Sequence, residues 1–511
     1  MKKLLIALST LFTFAAHAQR NVLLDPSFWQ AKPDVSQVKA EVDKGGSPSQ
    51  FNAMSFDPVV MAINAQAPTE AIKYLIDQPG NNVDKLTHDG RTYLHWAANR
   101  GNAEVVEYLL SKGAKTNIED SHGTTPLNFA AASGQGNTKI YDLCLAHGAN
   151  LKKELNHDGA NALLLAVAND KDLTLTSYFV SKGLDIKSTD AAGNNAFAYA
   201  ARGGNIDVLK ALVQKGVPVN ANAMIMASQS GGRRGPGGNA GGATLALYQY
   251  LESLNIKPTV TNKSGENVLH YIVRKPNQNQ IIQYFLSKGV DVNQADEDGN
   301  TPFMNAAASN RDTAVLGMLI SHVKNLNQSN QKGVSALAMA VRSNSPDVVS
   351  YLLNKGANVK VIDHAGDNLA AYLVQSYAGE QMGGRQGAPG FNGPKPEDFD
   401  TKLKLLQAKG FDAKAPQKNG NTLWHLAIAK NDFSLMKRLE PLGIDVNARN
   451  NEGLTALHKA AMVSKDDAML KYLLSIGAKK DITTNFKETA FDLAGENESL
   501  TKKNVSVNFL K

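Results

Sequence analysis

Cysteine is almost missing from this sequence of 511 residues, because Cys144 is its single cysteine. A disulfide within the chain is therefore impossible, and no CxxC pair is present to bind a metal ion through two thiolates. The fold must be stabilised by packing, and we expect Cys144 to be buried as a small apolar side chain.

Long apolar runs are also missing, since no segment after the first 18 residues approaches 18 consecutive apolar residues. This predicts no transmembrane anchor and a soluble mature chain. The start of the chain has Lys2 and Lys3, then a mostly apolar stretch, then the small-x-small motif Ala16-His17-Ala18. This pattern predicts a secretory signal peptide over residues 1–18, and therefore an exported protein that is periplasmic or secreted. Export without disulfides suits a bacterial envelope.

The charge shows little excess of either sign, with 54 basic and 47 acidic residues and a formal net charge of +7. Basic side chains are interspersed with acidic ones, which argues against a nucleic-acid partner. We find no serine elbow and no phosphate-binding loop, so the sequence predicts neither a cofactor nor an enzyme. The segment 296–300, DEDGN, begins like a calcium loop, but Ala307 stands where such a loop needs its glutamate.

What the sequence does have is a repeat with a period of about 33 residues. A turn glycine marks each copy, at Gly90, Gly123, Gly159, Gly193, Gly265, Gly299, Gly333, Gly366, Gly420 and Gly453. A short apolar helix follows each glycine, and a second helix carries an apolar stripe such as Val105, Val106, Leu109 and Leu110. Helix pairs of this kind stack on their neighbours, so the pattern predicts an all-α solenoid.

The motifs Thr125-Pro126-Leu127, Thr301-Pro302-Phe303 and Thr455-Ala456-Leu457-His458 resemble the ankyrin repeat. The resemblance implies about 13 helix-pair units with β-hairpin-like fingers, N- and C-terminal capping units, and a concave face that binds another macromolecule. We place an N-terminal capping region at 19–55, the repeat array at 56–485 and a C-terminal capping unit with a tail at 486–511.

Two glycine-rich insertions, 228–243 and 378–397, interrupt repeats between the first and the second helix. A loop that docks a partner or faces the cell wall and a tolerated surface insertion are both open interpretations. Arg233, Arg234 and Arg385 beside glycines resemble RGG segments that bind nucleic acid, but an exported protein argues against that function.

The histidines form two groups. His95, His270, His425 and His458 hold the histidine place of the TPLH-like turn, where the resemblance implies a hydrogen bond to the neighbouring finger. His88, His122, His157 and His364 lie at finger tips, either as solvated turn residues or as a contact surface. One repeat of spacing is too long for ligands of a single zinc ion, whereas a row of imidazoles that tunes binding with pH stays open.

The resemblance implies that variable finger and inner-helix positions contact the partner. The predicted partner-binding residues are His88, Asp89, Arg91, Asn99, Arg100, His122, His157, Asp158, Arg202, Arg274, Arg342 and Lys430. The recurring cations among them predict a basic stripe, which favours an acidic protein surface or an anionic polymer. We therefore predict a non-enzymatic scaffold with a protein partner. The alternative is an envelope-structural protein that holds an anionic polymer such as cell-wall glycan.

Overall fold

The computed structural model of the chain describes residues 21–229, 243–379 and 395–511. The predicted signal peptide lies outside the described residues, as do most of both glycine-rich insertions and Arg233, Arg234 and Arg385. The described residues form α-helices, short 3-10 turns and connecting loops, with three isolated β-bridges and no strand. The predicted all-α class is confirmed.

The chain divides into two compact halves, one up to Leu254 and one from Asn255. The N-terminal half begins with α1 (Pro26–Gln30) and α2 (Val35–Asp43). Its repeats are α3 (Pro58–Asn64) with α4 (Thr69–Ile76), α5 (Tyr93–Arg100) with α6 (Ala103–Ser111), α7 (Pro126–Ala132) with α8 (Thr138–Ala146), α9 (Ala162–Val167) with α10 (Thr174–Ser181), α11 (Ala196–Ala201) with α12 (Ile206–Gln214), and α13 (Ala223–Ser228) with α14 (Leu245–Ser253).

The C-terminal half continues the same alternation of first and second helices. Its repeats are α15 (Leu269–Ile272) with α16 (Asn279–Ser287), α17 (Pro302–Ser309) with α18 (Thr313–Ile320), α19 (Ala336–Ser343) with α20 (Pro346–Asn354), α21 (Leu369–Ser376) with α22 (Pro396–Ala408), α23 (Leu423–Ala429) with α24 (Phe433–Leu439), α25 (Ala456–Val463) with α26 (Ala468–Ser475), and α27 (Ala490–Glu496) with α28 (Glu498–Thr501). The described residues thus hold 13 helix pairs after α2, as the repeat predicts.

Local sequence sets where the helices begin and end. Thr125 caps α7, because its hydroxyl accepts a hydrogen bond from the Asn128 amide and Pro126 occupies the first helical position. After α6, Gly113 adopts a φ of +87°, and the Ala114 amide donates to the Leu109 carbonyl. Glycine takes this left-handed conformation without a steric penalty, so the chain turns toward the next repeat at Gly113.

A finger is the loop that leads from one repeat into the first helix of the next. Within the finger before α7, the Asp120 amide donates to the Thr124 carbonyl at 3.0 Å and the Gly123 amide donates to the Asp120 carbonyl at 2.9 Å. Between fingers, the Ser121 amide donates to the Asp89 carbonyl at 2.8 Å. The fingers are therefore tight turns joined by single backbone bonds, and only isolated bridges such as Thr189 with Asn195 have β character.

Before α13 the finger is replaced by side-chain contacts. The Asn222 amide Nδ2 donates to Asn194 Oδ1 at 2.8 Å, and Asn220 Nδ2 donates to the Gly193 carbonyl at 2.9 Å. Two asparagines thus join this repeat to the preceding finger, although the turn glycine of the other repeats is missing from its sequence.

The core lies between successive repeats, as nearest-neighbour stacking requires. Trp96 and Trp424 are buried there, and Cys144 is fully buried, as the sequence predicts for the single cysteine. Trp29 is also buried, and its indole Nε1 donates to the Leu23 carbonyl at 2.8 Å ahead of the first repeat. Among the described residues, no helix has both the length and the apolar character needed to cross a bilayer.

Asparagine side chains connect the ends of successive first helices. Asn344 Nδ2 donates to the carbonyls of Ala307 and Asn310 at 2.8 and 2.9 Å. Asn310 Nδ2 donates in the same way to the Val273 carbonyl at 2.7 Å, and Asn497 Nδ2 to the Ala461 carbonyl at 2.9 Å. The last carbonyls of a helix have no partner within that helix, so each of these amides satisfies buried acceptors of the preceding repeat.

Around α21, lysine side chains rather than asparagines donate to the last carbonyls of the first helices. Lys402 of α22 is 1% exposed, and its Nζ donates to the Val341 carbonyl at the end of α19 at 2.9 Å. Burial lowers the pKa of Lys402 to about 8. Lys430, after α23, donates to the Val374 carbonyl at 2.9 Å and also contacts the carbonyls of Gln375 and Tyr377. A cation near the C-terminus of a helix is favoured by the helix dipole as well.

We predict that Asn344→Ala destabilises the C-terminal half by about 1 to 3 kcal/mol, because two buried carbonyls lose their donor. The midpoint of urea unfolding, followed by circular dichroism, measures the effect. Asn354→Ala is the matched control, since Asn354 is exposed at the end of α20. Equal midpoints for the two variants would contradict the role of the Asn344 side chain.

Candidate partner-binding surface

The first helices from α3 to α25 carry no acidic residue. None of the twelve first helices from α3 to α25 contains Asp or Glu. Cations stand near their C-terminal ends at Arg100, Arg202, Arg274, Arg342 and Lys430, which we call the first-helix cations. The repeat places these residues at corresponding positions, so each half presents first helices whose charged side chains are positive.

In the N-terminal half the two first-helix cations bond to amides. Arg100 is half-buried, and its Nε donates to Asn64 Oδ1 at 3.0 Å. Arg202 is exposed, its Nη2 donates to Gln229 Oε1 at 2.6 Å, and its guanidinium lies 5.3 Å from the centre of the Tyr199 ring. Both positive charges therefore have neutral neighbours.

The C-terminal half repeats this arrangement. Exposed Arg274 donates from Nη2 to Asn305 Oδ1 at 3.1 Å, and exposed Arg342 lies 6.0 Å from the centre of the Tyr372 ring. Exposed Lys430 contacts backbone carbonyls, as described above. Among the described residues, none of the first-helix cations forms a salt bridge, so their charge is available to attract an anionic partner.

Asn99 also lies on the first helices, half-buried near the end of α5. Its Nδ2 donates to the hydroxyl of Ser133, which follows α7 in the next repeat. An amide and a hydroxyl thus lie side by side at this place, and both can donate and accept hydrogen bonds.

Finger residues Asp89, His88 and His122 come together. Asp89 Oδ2 lies 3.6 Å from His88 Nε2 and 3.9 Å from His122 Nε2, while His88 Nδ1 lies 3.0 Å from the Met54 carbonyl. Arg91 Nη1 donates to the same Asp89 oxygen at 3.0 Å. The guanidinium therefore holds the carboxylate, and no group of three His, Cys, Asp or Glu in the described residues has the geometry to bind a metal ion.

The third predicted finger histidine lies apart from this cluster. His157 packs against the preceding finger, where a β-carbon at Gly123 would lie 2.2 Å from His157 Cδ2. Asp158 accepts a hydrogen bond from Asn156 Nδ2 at 3.3 Å, and its carbonyl accepts from the Ala191 amide. The three finger histidines therefore do not form one continuous row. His88 and His122 lie together beside Asp89, whereas His157 packs against Gly123.

Arg91 is buried between two fingers and contributes to the structure of the repeats. Its side chain is only 4% exposed, and Nε donates to Asp120 Oδ2 at 2.9 Å. The guanidinium lies 4.3 Å from the centre of the Phe129 ring and 5.3 Å from that of Trp96. Burial raises the pKa of Asp120, but backbone hydrogen bonds and the Arg91 charge outweigh burial, so the pKa is lowered. Among the predicted contact residues, Arg91 joins two fingers and presents little surface to a partner.

Three of the buried histidines, His95, His270 and His425, perform the task that the resemblance implies, whereas His458 Nε2 has no hydrogen-bond partner among the described residues. The Thr92 amide donates to His95 Nδ1 at 3.1 Å, so the proton of the neutral ring is on Nε2, which donates to the Thr124 carbonyl at 3.0 Å. Nε2 of His270 and of His425 reaches the next finger in the same way, at 3.2 and 2.9 Å. Burial lowers the pKa of His95 to about 4, and it also lowers the pKa values of His270, His425 and His458.

Two features were missed in the sequence. On second helices, the hydroxyls of Tyr108 and Tyr178 donate to Asp77 and Asp142 of the preceding repeat at 2.5 and 2.8 Å. The recurring YxxSKG endings could have indicated these hydrogen bonds between tyrosine and aspartate side chains.

The other feature that the sequence did not predict is an open groove of about 400 Å³ between α21 and α23. It is lined by Asp367, Ala371, Val374, Gln375, Leu426 and Lys430.

A family model described as ankyrin repeats matches residues 59–154, 131–224, 245–317, 269–363 and 397–485, which together make up more than half of the chain. The chain belongs to the ankyrin-repeat family. The family assignment predicted from the turn motifs is therefore confirmed. Ankyrin repeats act as protein-interaction scaffolds, and such a scaffold is what this chain forms.

Similar proteins differ widely in kind. The chain is 27% identical over 316 residues to alpha-latroinsectotoxin-Lt1a of Latrodectus tredecimguttatus, a match of 58% of this chain and 22% of the toxin. It is 24% identical over 419 residues to the human transient receptor potential cation channel subfamily A member 1, covering 66% of this chain and 36% of the channel. It is 25% identical over 217 residues to the phosphocholine transferase AnkX of Legionella pneumophila, covering 42% and 20%. The chain thus spans about a third or less of these relatives, and what it shares with them is the repeat.

We predict that the protein loses stability as the pH falls from about 6.5 toward 4. The pKa of His95 is about 4 in the folded state and near 6.5 in an unfolded chain, so stability is complete above 6.5 and declines as the unfolded state takes up protons. Melting temperatures between pH 7.5 and 4.5 measure the effect.

The variant His95→Gln keeps a donor and an acceptor but does not titrate, so we expect a smaller decline in this pH range. His147→Gln is the matched control, because His147 is exposed. A decline that is the same in both variants and the wild type would exclude His95 as a source.

Proposed function

We propose that this chain is an exported, non-enzymatic scaffold that holds a protein partner on its finger and first-helix face. The observation that carries the proposal is the charge of that face: twelve first helices without an acidic residue, and first-helix cations whose neighbours are neutral. Opposite charges accelerate encounter and select partners, so an acidic protein surface fits this face.

The contact residues divide into three groups. The first-helix cations Arg202, Arg274, Arg342 and Lys430 are exposed and supply charge. Hydrogen bonds come from the other polar positions, which are His88, Asn99, Arg100, His122, His157 and Asp158. Arg91 and Asp89 form an ion pair, and the buried Arg91 side chain holds two neighbouring fingers together. Binding in this arrangement depends on many polar contacts and a few arginine anchors, as interface energetics generally do.

The lack of an enzymatic activity is part of the proposal. His95 and Lys402, whose pKa values are strongly shifted, are buried and bonded to backbone carbonyls of neighbouring repeats. They stabilise the stacking of repeats and have no access to a substrate. The names of similar proteins include a transferase, but the match covers only 20% of that protein.

An envelope-structural role is the second candidate. The same unpaired first-helix cations would attract an anionic polymer such as cell-wall glycan, without specificity for one protein. Attraction between exposed charges is screened by salt, whereas a packed protein interface is much less sensitive. The salt dependence of binding therefore distinguishes the two candidates.

We predict that affinity capture from an envelope extract with the chain from Gln19 onward retains one protein at both low and high salt. The double variant Arg202→Glu, Arg342→Glu should retain at least tenfold less of it, because two attractive contacts become repulsive. Lys404→Glu is the control, since Lys404 is exposed on the second helix α22 and has the same charge change. Recovery of a polymer alone, or of a mixture lost at high salt, would favour the envelope-structural candidate.

We also predict that the exported chain begins at Gln19. Mass spectrometry of its N-terminal peptide, recovered from the envelope fraction, tests this. Leu5→Arg interrupts the apolar stretch and should leave the uncleaved chain in the cytoplasm. A chain that begins at Met1 in the envelope fraction would contradict a cleaved signal peptide.

A further inference from the structure

The groove between α21 and α23 lies on the first-helix face of the C-terminal half. Its walls are Ala371, Val374 and Gln375 on one side and Leu426 and Lys430 on the other, with Asp367 at the finger end. Ala371 and Val374 are almost completely buried, while Leu426 is partly exposed. The groove therefore has an apolar floor and a single carboxylate.

The corresponding place in the N-terminal half is filled by the chain itself. Counted from the turn glycines Gly90 and Gly366, Arg91 corresponds to Asp367 and His95 corresponds to Ala371. Counted from Gly123 and Gly420, Phe129 corresponds to Leu426. Between α5 and α7 the Arg91 guanidinium covers Phe129 and Trp96 and bonds to two carboxylates. Between α21 and α23 the arginine is replaced by an acid and the histidine by alanine, which leaves the space open.

Within the described residues, no cationic side chain pairs with the negative charge of the Asp367 carboxylate. It is partly buried, and no salt bridge to it exists within the described residues. Burial, followed by the negative charge of Asp363, raises the pKa of the Asp367 carboxyl. The nearby Asp363 is already occupied, since its Oδ2 accepts a hydrogen bond from the Tyr372 hydroxyl at 2.5 Å. A cation that entered the groove would find Asp367 without a competing partner.

The cations beside the groove are held by other groups. The ammonium of Lys430 donates to the carbonyls at the end of α21, and the guanidinium of Arg342 lies over the Tyr372 ring. The charges of Lys430 and Arg342 repel a partner segment that carries only positive charges, but they attract acidic side chains. Asp367 attracts a positive side chain into the groove itself. Charge complementarity therefore favours a partner segment in which an arginine has acidic neighbours.

We infer that the α21–α23 groove binds an arginine side chain of the partner protein, with the guanidinium on Asp367 and the aliphatic stem on Val374 and Leu426. Acidic residues that flank this arginine contact Arg342 and Lys430. A guanidinium forms two parallel hydrogen bonds to a carboxylate, and its stem and flat faces pack on apolar side chains, so arginine fits this groove better than lysine. This inference rests on the proposed function, and it names the chemistry of the partner at one place on the same face.

The test is a selection of random twelve-residue peptides displayed on phage against the immobilised chain from Gln19 onward. We expect enrichment of an arginine with acidic neighbours. Synthetic fluorescent copies of the selected peptides then give affinities by anisotropy. Asp367→Asn should weaken binding at least tenfold, because a charge-assisted pair becomes a neutral contact.

The matched control is Asp298→Asn, an exposed finger acid in the same half, which should change the affinity less than twofold. Melting temperatures establish that both variants fold, and Asp367→Asn is isosteric with the wild type.

Four results would overturn the inference. If peptides are selected that bind Asp367→Asn normally but lose affinity with Arg342→Glu, the proposed function stands and the arginine site is wrong. If the selected peptides present a large apolar residue without arginine, the groove binds that side chain instead. Tighter peptide binding by Arg385→Gln would assign the groove to an arginine of the chain itself. A wild-type chain that selects no peptide would reject both the arginine site and the peptide-binding face on which it rests.

Discussion

Stacking of each helix pair on the next is the constraint on which the rest of this structure depends. A first helix of six to eight residues cannot bury its own apolar surface, so its core is completed by the neighbouring repeat. The buried ends of these helices must also find donors for their last carbonyls. Asn310, Asn344 and Asn497 supply amides, and Lys402 and Lys430 supply ammonium groups in the repeats around α21. Polar side chains therefore act as connectors between repeats.

The same stacking explains how a modest net charge produces a directional surface. Because each first helix takes the same orientation in its repeat, residues at one register position lie on one face of each half. Acidic residues are missing from the first helices α3 to α25 but common on second helices and fingers, so these first helices carry only positive side-chain charges although the net charge of the chain is a modest +7. The function proposed for the chain is a consequence of this segregation more than of the total charge.

Comparison of corresponding positions shows how one framework supports different local chemistry. Arg91 and Asp367 occupy the same place beside a turn glycine, yet the first joins two fingers and the second lines an open groove. The difference arises from the neighbours, since Phe129 and Trp96 provide ring faces for the guanidinium, whereas Ala371 and Leu426 leave space. The same register position thus makes an internal contact in one half and lines an open groove in the other.

The sequence by itself determined the helix pairs, the turn glycines and the role of His95, His270 and His425, because these depend on local conformation and on contacts one repeat away. It also identified exposed Arg202, Arg274 and Arg342 from their recurrence. Only the tertiary structure decided that Arg91 is buried, that Lys402 caps α19 and that a groove opens beside Asp367. Those three outcomes depend on the size and charge of side chains brought together from different repeats, and a periodic pattern records positions without recording how neighbouring side chains fill the space between them.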